Sequence, residues 1–319
     1  MRHDGTSLIM RPILCIAGPT ASGKSDWAVE LAKKHDGEVL NADSMQIYRD
    51  LHILSARPMT DDMRGIPHHL FGYIDGVVRY SVGQWIRDVE PVISDCLARE
   101  KMPIVTGGTG LYLTALVDGL AQIPSPGPAA KAQADMILEM QGISALRSMA
   151  VDLDPTATRK VLGDDPQRLL RIVSVALGTD KPLSDWQTHT KPVFSKNAWL
   201  GAILMPDRDV LYSRINRRFD TMIECGALDE ITWLQARNLS ADLPVMKAVG
   251  VPPLLAYRNG NIGLAEAITM AKRDSRRFAK RQFTWFKGHG RGWHMVSDES
   301  SQKMFENYVS QNTPLTVTS

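Results

Sequence analysis

The stretch Gly18-Pro19-Thr20-Ala21-Ser22-Gly23-Lys24-Ser25 limits what this chain can fold into more than any other. It follows a short apolar run, Ile13 to Ala17, and precedes a helical pattern that opens near Asp26. Strand, glycine loop, Lys-Ser and helix, in that order, make a phosphate-binding loop. Gly18 and Gly23 permit backbone geometry that would strain a side chain. The loop then turns several N–H groups inward, and the helix start adds partial positive charge. Lys24 brings a full charge to the far phosphate, and the Ser25 hydroxyl is suited to Mg²⁺. The expected fold is α/β: a P-loop NTPase-like parallel sheet flanked by helices. The loop specifies a polyphosphate and leaves its fate open.

The apolar fraction of 44% suits a globular chain. No run approaches the roughly 20 apolar residues of a membrane span, and Met1 to Pro12 lacks the pattern of a secretory signal. Cys15, Cys96 and Cys225 are far apart and odd in number, which argues against a disulfide framework or a zinc site. A reducing cytoplasm and a monomer are the expectation. Net charge is +2, but residues 207–292 carry 15 Lys/Arg against 9 Asp/Glu. A basic segment in a near-neutral protein suits a local polyanion partner, and it equally suits a solvated helical face.

Along the chain, Glu38 to Ala42 reads as a second strand with Asp43-Ser44-Met45-Gln46 at its carboxyl end. Ligands of open parallel sheets sit at that end, so Asp43 is either a ligand-facing residue or a helix cap. Adjacent His68 and His69 diverge as neighbours, and no nearby carboxylate completes a metal set, so a structural role is expected. Ser81 to Glu100 reads as an amphipathic helix. Met102 to Thr106 reads as a strand running into Gly107-Gly108-Thr109-Gly110, a second glycine turn facing the ligand side.

Character changes near Asp118, and residues 115–198 read as a mostly helical insertion. Within it Asp165-Pro166 starts a helix that Gly178 ends, and Arg168 and Arg171 share one face. Core segments 10–114 and 199–292 enclose this insertion, with tails at 1–9 and 293–319. Asp207 to Leu234 is helical, with Arg214, Arg217 and Arg218 on one face. Lys272 to Lys287 is helical, with Arg273, Arg277, Lys280 and Arg281 opposite Ala279, Phe283 and Phe286.

Several stretches together resemble the bacterial tRNA dimethylallyltransferases, also called tRNA isopentenyltransferases. They are GPTASGKS (18–25), ADSMQIY (42–48), GIPHHL (65–70), TGGTGLYL (106–113), DPQRLLR (165–171), DRDVLYSRINRRFDTMIECGALDEI (207–231) and RRFAKRQFTWF (276–286). They occur in the family's order. Two stretches depart from it. The family usually shows I-G-T-A-K-P where this chain has Ile53 to Pro58, which bears on loop geometry. It usually shows A-I-G-Y-K-E near Ala248 to Pro253, which bears on a nucleic-acid contact.

The resemblance implies transfer of a dimethylallyl group from dimethylallyl diphosphate to N6 of the adenine 3′ of the anticodon, in tRNAs reading codons that begin with U. It assigns Gly18 to Ser25 to the diphosphate, with Lys24 and Arg218 offsetting its charge and Ser25 holding Mg²⁺. It puts Thr109 at the donor ester oxygen and makes Asp43 the general base. The anticodon stem-loop would meet Asp43 to Gln46, Thr109, Lys131, Gln167, Arg168, Leu169, Leu170, Arg171, Lys280 and Arg281. ATP-binding is then a label carried by the loop motif alone. The alternatives are a small-molecule P-loop kinase, an adenylate isopentenyltransferase acting on free AMP, ADP or ATP, and a non-catalytic RNA-binding switch.

Overall fold

The structure is a computed structural model describing residues 11–188, 190 and 192–313. The expected tail at 1–9 and residues 314–319 of the other lie outside the described residues. Two compact units form. Asp118–Val193 is one, and the chain on either side of it builds the other.

In the larger unit, β1 (Ile13–Ala17), β2 (Gly37–Asn41), β3 (His68–His69), β4 (Met102–Gly107), β5 (Trp199–Leu204) and β6 (His294–Val296) make one parallel sheet. Its order is β3-β2-β4-β1-β5-β6. β1 is interior, with Cys15 opposite Val105 on one side and Gly201 on the other. A strand buried on both faces reads as a continuous apolar run, and its residues alternate between two cores. Leu14 and Ile16 pack with Trp27 and Leu31 of α1 (Lys24–His35). Ile13, Cys15 and Ala17 pack with Trp85 and Val89 of α2 (Val82–Ala98) and with Tyr112 and Leu116 of α3 (Gly110–Asp118). Ser81 caps α2 in a reciprocal box with Gln84, which fixes where that helix starts.

The smaller unit packs α4 (Gly127–Leu153) on α5 (Pro166–Thr179) around Ala134, Leu146, Leu169, Ile172 and Val173. α4 is interrupted at Gly142, where φ is 80°. The Asp165 side chain accepts the Arg168 N–H at 3.2 Å, the expected cap. Gly178 does not end α5. The helix runs to Thr179, and Asp180 closes it in the left-handed conformation. Gly178 is small for another reason: a Cβ there would lie 2.0 Å from the Pro126 carbonyl oxygen.

After β5 the expected single helix is two, α6 (Arg208–Glu224) and α7 (Ala227–Ala236), parted at Gly226 with φ 101°. Next come α8 (Val251–Arg258) and α9 (Leu264–His289), and these four helices enclose a third core with Ile47, Leu51 and Leu54. The expected tail from 293 is instead part of the fold. β6 pairs with β5, and α10 (Glu299–Gln311) buries Phe305 and Val309 against α1 and the sheet. Its signal is faint because β6 has three residues and α10 buries only two side chains. Among the described residues no helix is long and apolar enough to cross a membrane.

Phe305 is 1% exposed and meets the Trp27 ring edge-on at 5.6 Å. Phe305→Ala is expected to destabilise the larger unit by about 3 kcal/mol in urea denaturation. A dispensable tail would show a change below about 0.5 kcal/mol.

Candidate active site

The carboxyl ends of β1, β2 and β4 carry the loop Gly18–Ser25, the segment Ala42–Gln46 and the turn Gly108–Thr109. Gly23 closes the loop in the left-handed conformation at φ 95°, directly before α1. The N–H groups of the first turn of α1 have no intrahelical acceptor, so they and the helix dipole favour an anion there. Ser22 Oγ is buried in the same loop without a protein hydrogen-bond partner. A buried hydroxyl of this kind fits a loop whose acceptor is a ligand oxygen.

Three cationic side chains reach the loop. Lys24 Nζ lies 3.3 Å from the Pro19 carbonyl oxygen. Burial lowers its ammonium to about 8, although the Asp43 carboxylate opposes that shift. Arg214 and Arg218 are one turn apart on α6. Arg214 donates to the Ser22 carbonyl at 3.4 Å, and Arg218 donates to Thr20 Oγ1. Arg217, on the same expected face, is exposed and makes no contact with the loop among the described hydrogen bonds.

Gln282 of α9 ties these parts together. Its Oε1 accepts the Thr20 N–H at 2.8 Å, and its Nε2 donates to the Gly108 carbonyl at 2.8 Å. This buried amide accounts for the glycines of the turn. A Cβ on Gly108 would lie 2.3 Å from Gln282 Nε2, and one on Gly110 would lie 2.0 Å from Trp285 Nε1. A Cβ on Gly107 would lie 2.1 Å from the Ala42 carbonyl oxygen, so β2 and β4 can also close up there. Gln282 was not a candidate from its sequence position. Its partners are 262 and 174 residues away, and its only trace is the joint presence of TGGTG and AKRQ-x-TW.

Asp43 stands where two cavities meet. One, of about 590 Å³, holds the loop, Lys24, Ser25 and Arg214. The other, of about 360 Å³, is lined by Met45, Phe219, Met222, Phe278, Lys247 and Arg281 among others. Thr20, Asp43, Ser55 and Arg218 belong to both walls. Asn41 fixes the Asp43 backbone, accepting its N–H at 2.8 Å and donating to its carbonyl at 3.1 Å. Asp43 Oδ1 accepts the Met45 N–H at 2.9 Å, and Oδ2 has no partner among the described hydrogen bonds. Thr109 Oγ1 accepts the Ser44 N–H at 2.9 Å and bonds Ser44 Oγ at 3.2 Å, so the two strand ends hold each other. The Gln46 amide is committed to the loop: its Nε2 donates to the carbonyls of Ser55 and Ala56 at 3.0 and 2.9 Å.

Of the remaining expected residues, Lys280 and Arg281 are exposed on α9, with Arg281 over the Phe278 ring at 5.7 Å. In the smaller unit Lys131, Gln167, Arg168 and Arg171 are exposed, and Leu170 is half-buried. Leu169 is fully buried in that unit's core, so its side chain offers nothing to a partner.

The histidine pair also differs from expectation, because the fold brings a carboxylate beside it. Glu38 Oε2 lies 2.7 Å from His69 Nε2 and 3.5 Å from Cys96 Sγ. Arg99 grips the same carboxylate at 2.6 and 2.9 Å and holds its pKa at about 2. An ion pair already satisfies the one described cluster with metal-ligand spacing. The two departures from the family pattern lie side by side. Leu54 Cδ2 is 3.3 Å from where a Gly250 Cβ would be, and Val251 is buried in the same core. The second departure thus includes a packing change at Val251, while Ala248 and Val249 line the second cavity and Pro252 is exposed.

The family profile described as "IPP transferase" matches residues 46–289, and one described as "Isopentenyl transferase" matches residues 11–71. The chain is 48% identical over 293 residues to the tRNA dimethylallyltransferase of Maricaulis maris, covering 92% of this chain and 95% of that one. It is 44% identical over 297 residues to that of Hyphomonas neptunium, covering 92% and 94%. A crystal structure of the tRNA isopentenylpyrophosphate transferase of Bacillus halodurans matches with a TM-score of 0.67 at 32% identity, covering 95% and 96% of the two chains. A eukaryotic dimethylallyltransferase acting on tRNA matches with a TM-score of 0.80 at 27% identity, covering 97% of this chain and 81% of the other. With a phosphate loop, a glycine turn and an RNA-suited basic helix joined through one buried amide, and relatives of this similarity along nearly its whole length, the chain belongs to the IPP transferase family.

Proposed function

We propose that this protein is a tRNA dimethylallyltransferase that moves the allyl group of dimethylallyl diphosphate to N6 of the adenine 3′ of the anticodon. The observation that carries this reading is the position of Asp43, a carboxylate in the common wall of the phosphate-loop cavity and a more apolar one. The diphosphate would lie against the loop, Lys24, Arg214 and Arg218. The acceptor adenine would enter the second cavity, out of its stack, where Met45 and Phe278 offer apolar surface.

In the proposed step the allylic C–O bond breaks and its electron pair leaves with the diphosphate. The N6 lone pair forms the new C–N bond, and the displaced N6 proton passes to Asp43. N6 is a weak nucleophile, so the barrier falls chiefly by stabilising the leaving group. Fixed N–H groups and half-buried cations supply that without reorganising. Thr109 lines neither cavity and its hydroxyl is bonded to Ser44, so it would meet the ester oxygen only by exchanging its Ser44 Oγ bond for one to the donor. Ser25 lines the loop's cavity and would be the oxygen donor to Mg²⁺, which would add charge neutralisation to the diphosphate; Asp26 and Asp62 line it too but are bonded to Arg64 and to the Met59 N–H. Lys280 and Arg281, with Lys131, Arg168 and Arg171 of the smaller unit, would take RNA phosphates. At the end of β4, where P-loop NTPases carry an acidic magnesium ligand, this chain has Thr106-Gly107-Gly108. That supports a loop used for a leaving group and disfavours phosphoryl transfer from ATP. A cytoplasmic monomer suits this work.

Labelled dimethylallyl diphosphate with unmodified tRNA should give prenylated RNA. Asp43→Asn should lower transfer at least about a hundredfold while tRNA binding, followed by filter retention, stays within about twofold. Phosphate moved from ATP to a metabolite would support the kinase, and AMP outcompeting tRNA would support an adenylate transferase. A fully active Asp43→Asn would contradict the base assignment.

Lys24 sets a pH dependence. Its ligand-free pKa is about 8, lowered by burial, and a bound diphosphate favours the charged form and raises it. Below that pKa the lysine is already charged and this contribution to affinity is flat. Above it, binding must take up a proton, so affinity falls by up to about tenfold per pH unit. Calorimetry in buffers of different ionisation enthalpy should show this uptake, and Lys24→Arg should remove the break near pH 8.

A further inference from the structure

The segment His52 to Pro58 has neither helix nor strand, yet it walls both cavities: Leu54 and Ser55 face the second, and Ser55, Ala56 and Pro58 face the first. A loop in that place must be held by its backbone. Three consecutive N–H groups converge on one carboxylate, that of Glu230 in the first turns of α7. Glu230 Oε1 accepts from His52 at 2.5 Å and Ile53 at 2.8 Å, and Oε2 accepts from Leu54 at 2.8 Å. Among the described residues no ion pair joins Glu230, so these backbone donors are its hydrogen-bond partners. From the other side Gln46 holds the Ser55 and Ala56 carbonyls, and Arg57 donates to the Tyr48 carbonyl at 3.1 Å.

We infer that Glu230 is a positioning residue for transfer to RNA, setting the loop that borders the passage between the two cavities. It lines neither cavity. Gln46 fixes the loop on the donor side without Glu230, and Lys24, Arg214 and Arg218 make no hydrogen bond to it, although the Glu230 charge does reach the Arg57 guanidinium. Removing the carboxylate leaves the N–H groups of His52, Ile53 and Leu54 without their acceptor, and of these residues Leu54 lines the acceptor-side cavity. The effect therefore falls on the acceptor. This rests on the acceptor occupying the second cavity.

The test is steady-state transfer by the full-length chain with tRNA and dimethylallyl diphosphate. Glu230→Ala should lower kcat/KM for tRNA by about tenfold or more, with dimethylallyl diphosphate affinity within about twofold of wild type. Glu230→Gln keeps a carbonyl oxygen for His52 and Ile53 but turns an amide N–H toward the Leu54 N–H, so it should still lower kcat/KM for tRNA, by less than the alanine variant does. If the alanine variant does not fold, Glu230→Gln should still show a smaller loss confined to the tRNA parameters. Equal losses for both substrates, or none in a folded alanine variant, would overturn the inference. A wild-type protein without tRNA transfer would instead overturn the functional proposal.

Discussion

A single buried amide governs how this fold builds its site. Gln282 accepts from the phosphate loop at Thr20 and donates to the glycine turn at Gly108. A neutral group with both a donor and an acceptor can join two backbone segments without placing a buried charge between cationic side chains. The approach requires that the turn have no side chains at 108 and 110, because Gln282 and Trp285 occupy that space. The helix carrying them presents Lys280 and Arg281 to solvent and holds the phosphate loop through the Gln282–Thr20 bond, so an exposed basic face and the loop are tied to the same helix.

Electrostatics then divide the site. The loop side gathers helix N–H groups, Lys24, Arg214 and Arg218, whereas the other side is mainly apolar with cations at Lys247 and Arg281. Under the proposed reading, charge developing on a departing diphosphate would meet these fixed donors. Asp43 is the carboxylate common to both walls. It keeps one oxygen on the Met45 N–H, which fixes its direction, and the other has no partner among the described hydrogen bonds.

What was legible in the sequence was local. The loop, the Asp165 cap and the apolar strand Ile13–Ala17 before the loop each depend on neighbours within a few residues, and all are present. What was missed depends on distant partners. Gln282, Glu230 and the pairing of Glu38 with His69 and Arg99 are made by segments that meet only in the sheet and its covering helices. The Gln46 amide nitrogen is bonded to the carbonyls of Ser55 and Ala56, a contact its sequence position does not show, because a loop without regular structure must have its carbonyls satisfied. Leu169 shared a motif with two exposed arginines yet faces the core, since one helical turn carries both faces. α10 went unseen because two buried side chains give too little periodicity.

The central claim is that the loop holds a leaving group and does not pass on a phosphoryl group. Dimethylallyl diphosphate carrying a heavy isotope in its bridging oxygen, turned over with unmodified tRNA, tests it directly by mass spectrometry of the products. Cleavage of the C–O bond sends all of the heavy oxygen into released diphosphate, which is the predicted result. Heavy ester oxygen recovered in dimethylallyl alcohol with a diphosphoryl group on an acceptor, or in dimethylallyl phosphate with a phosphoryl group on an acceptor, would contradict the account.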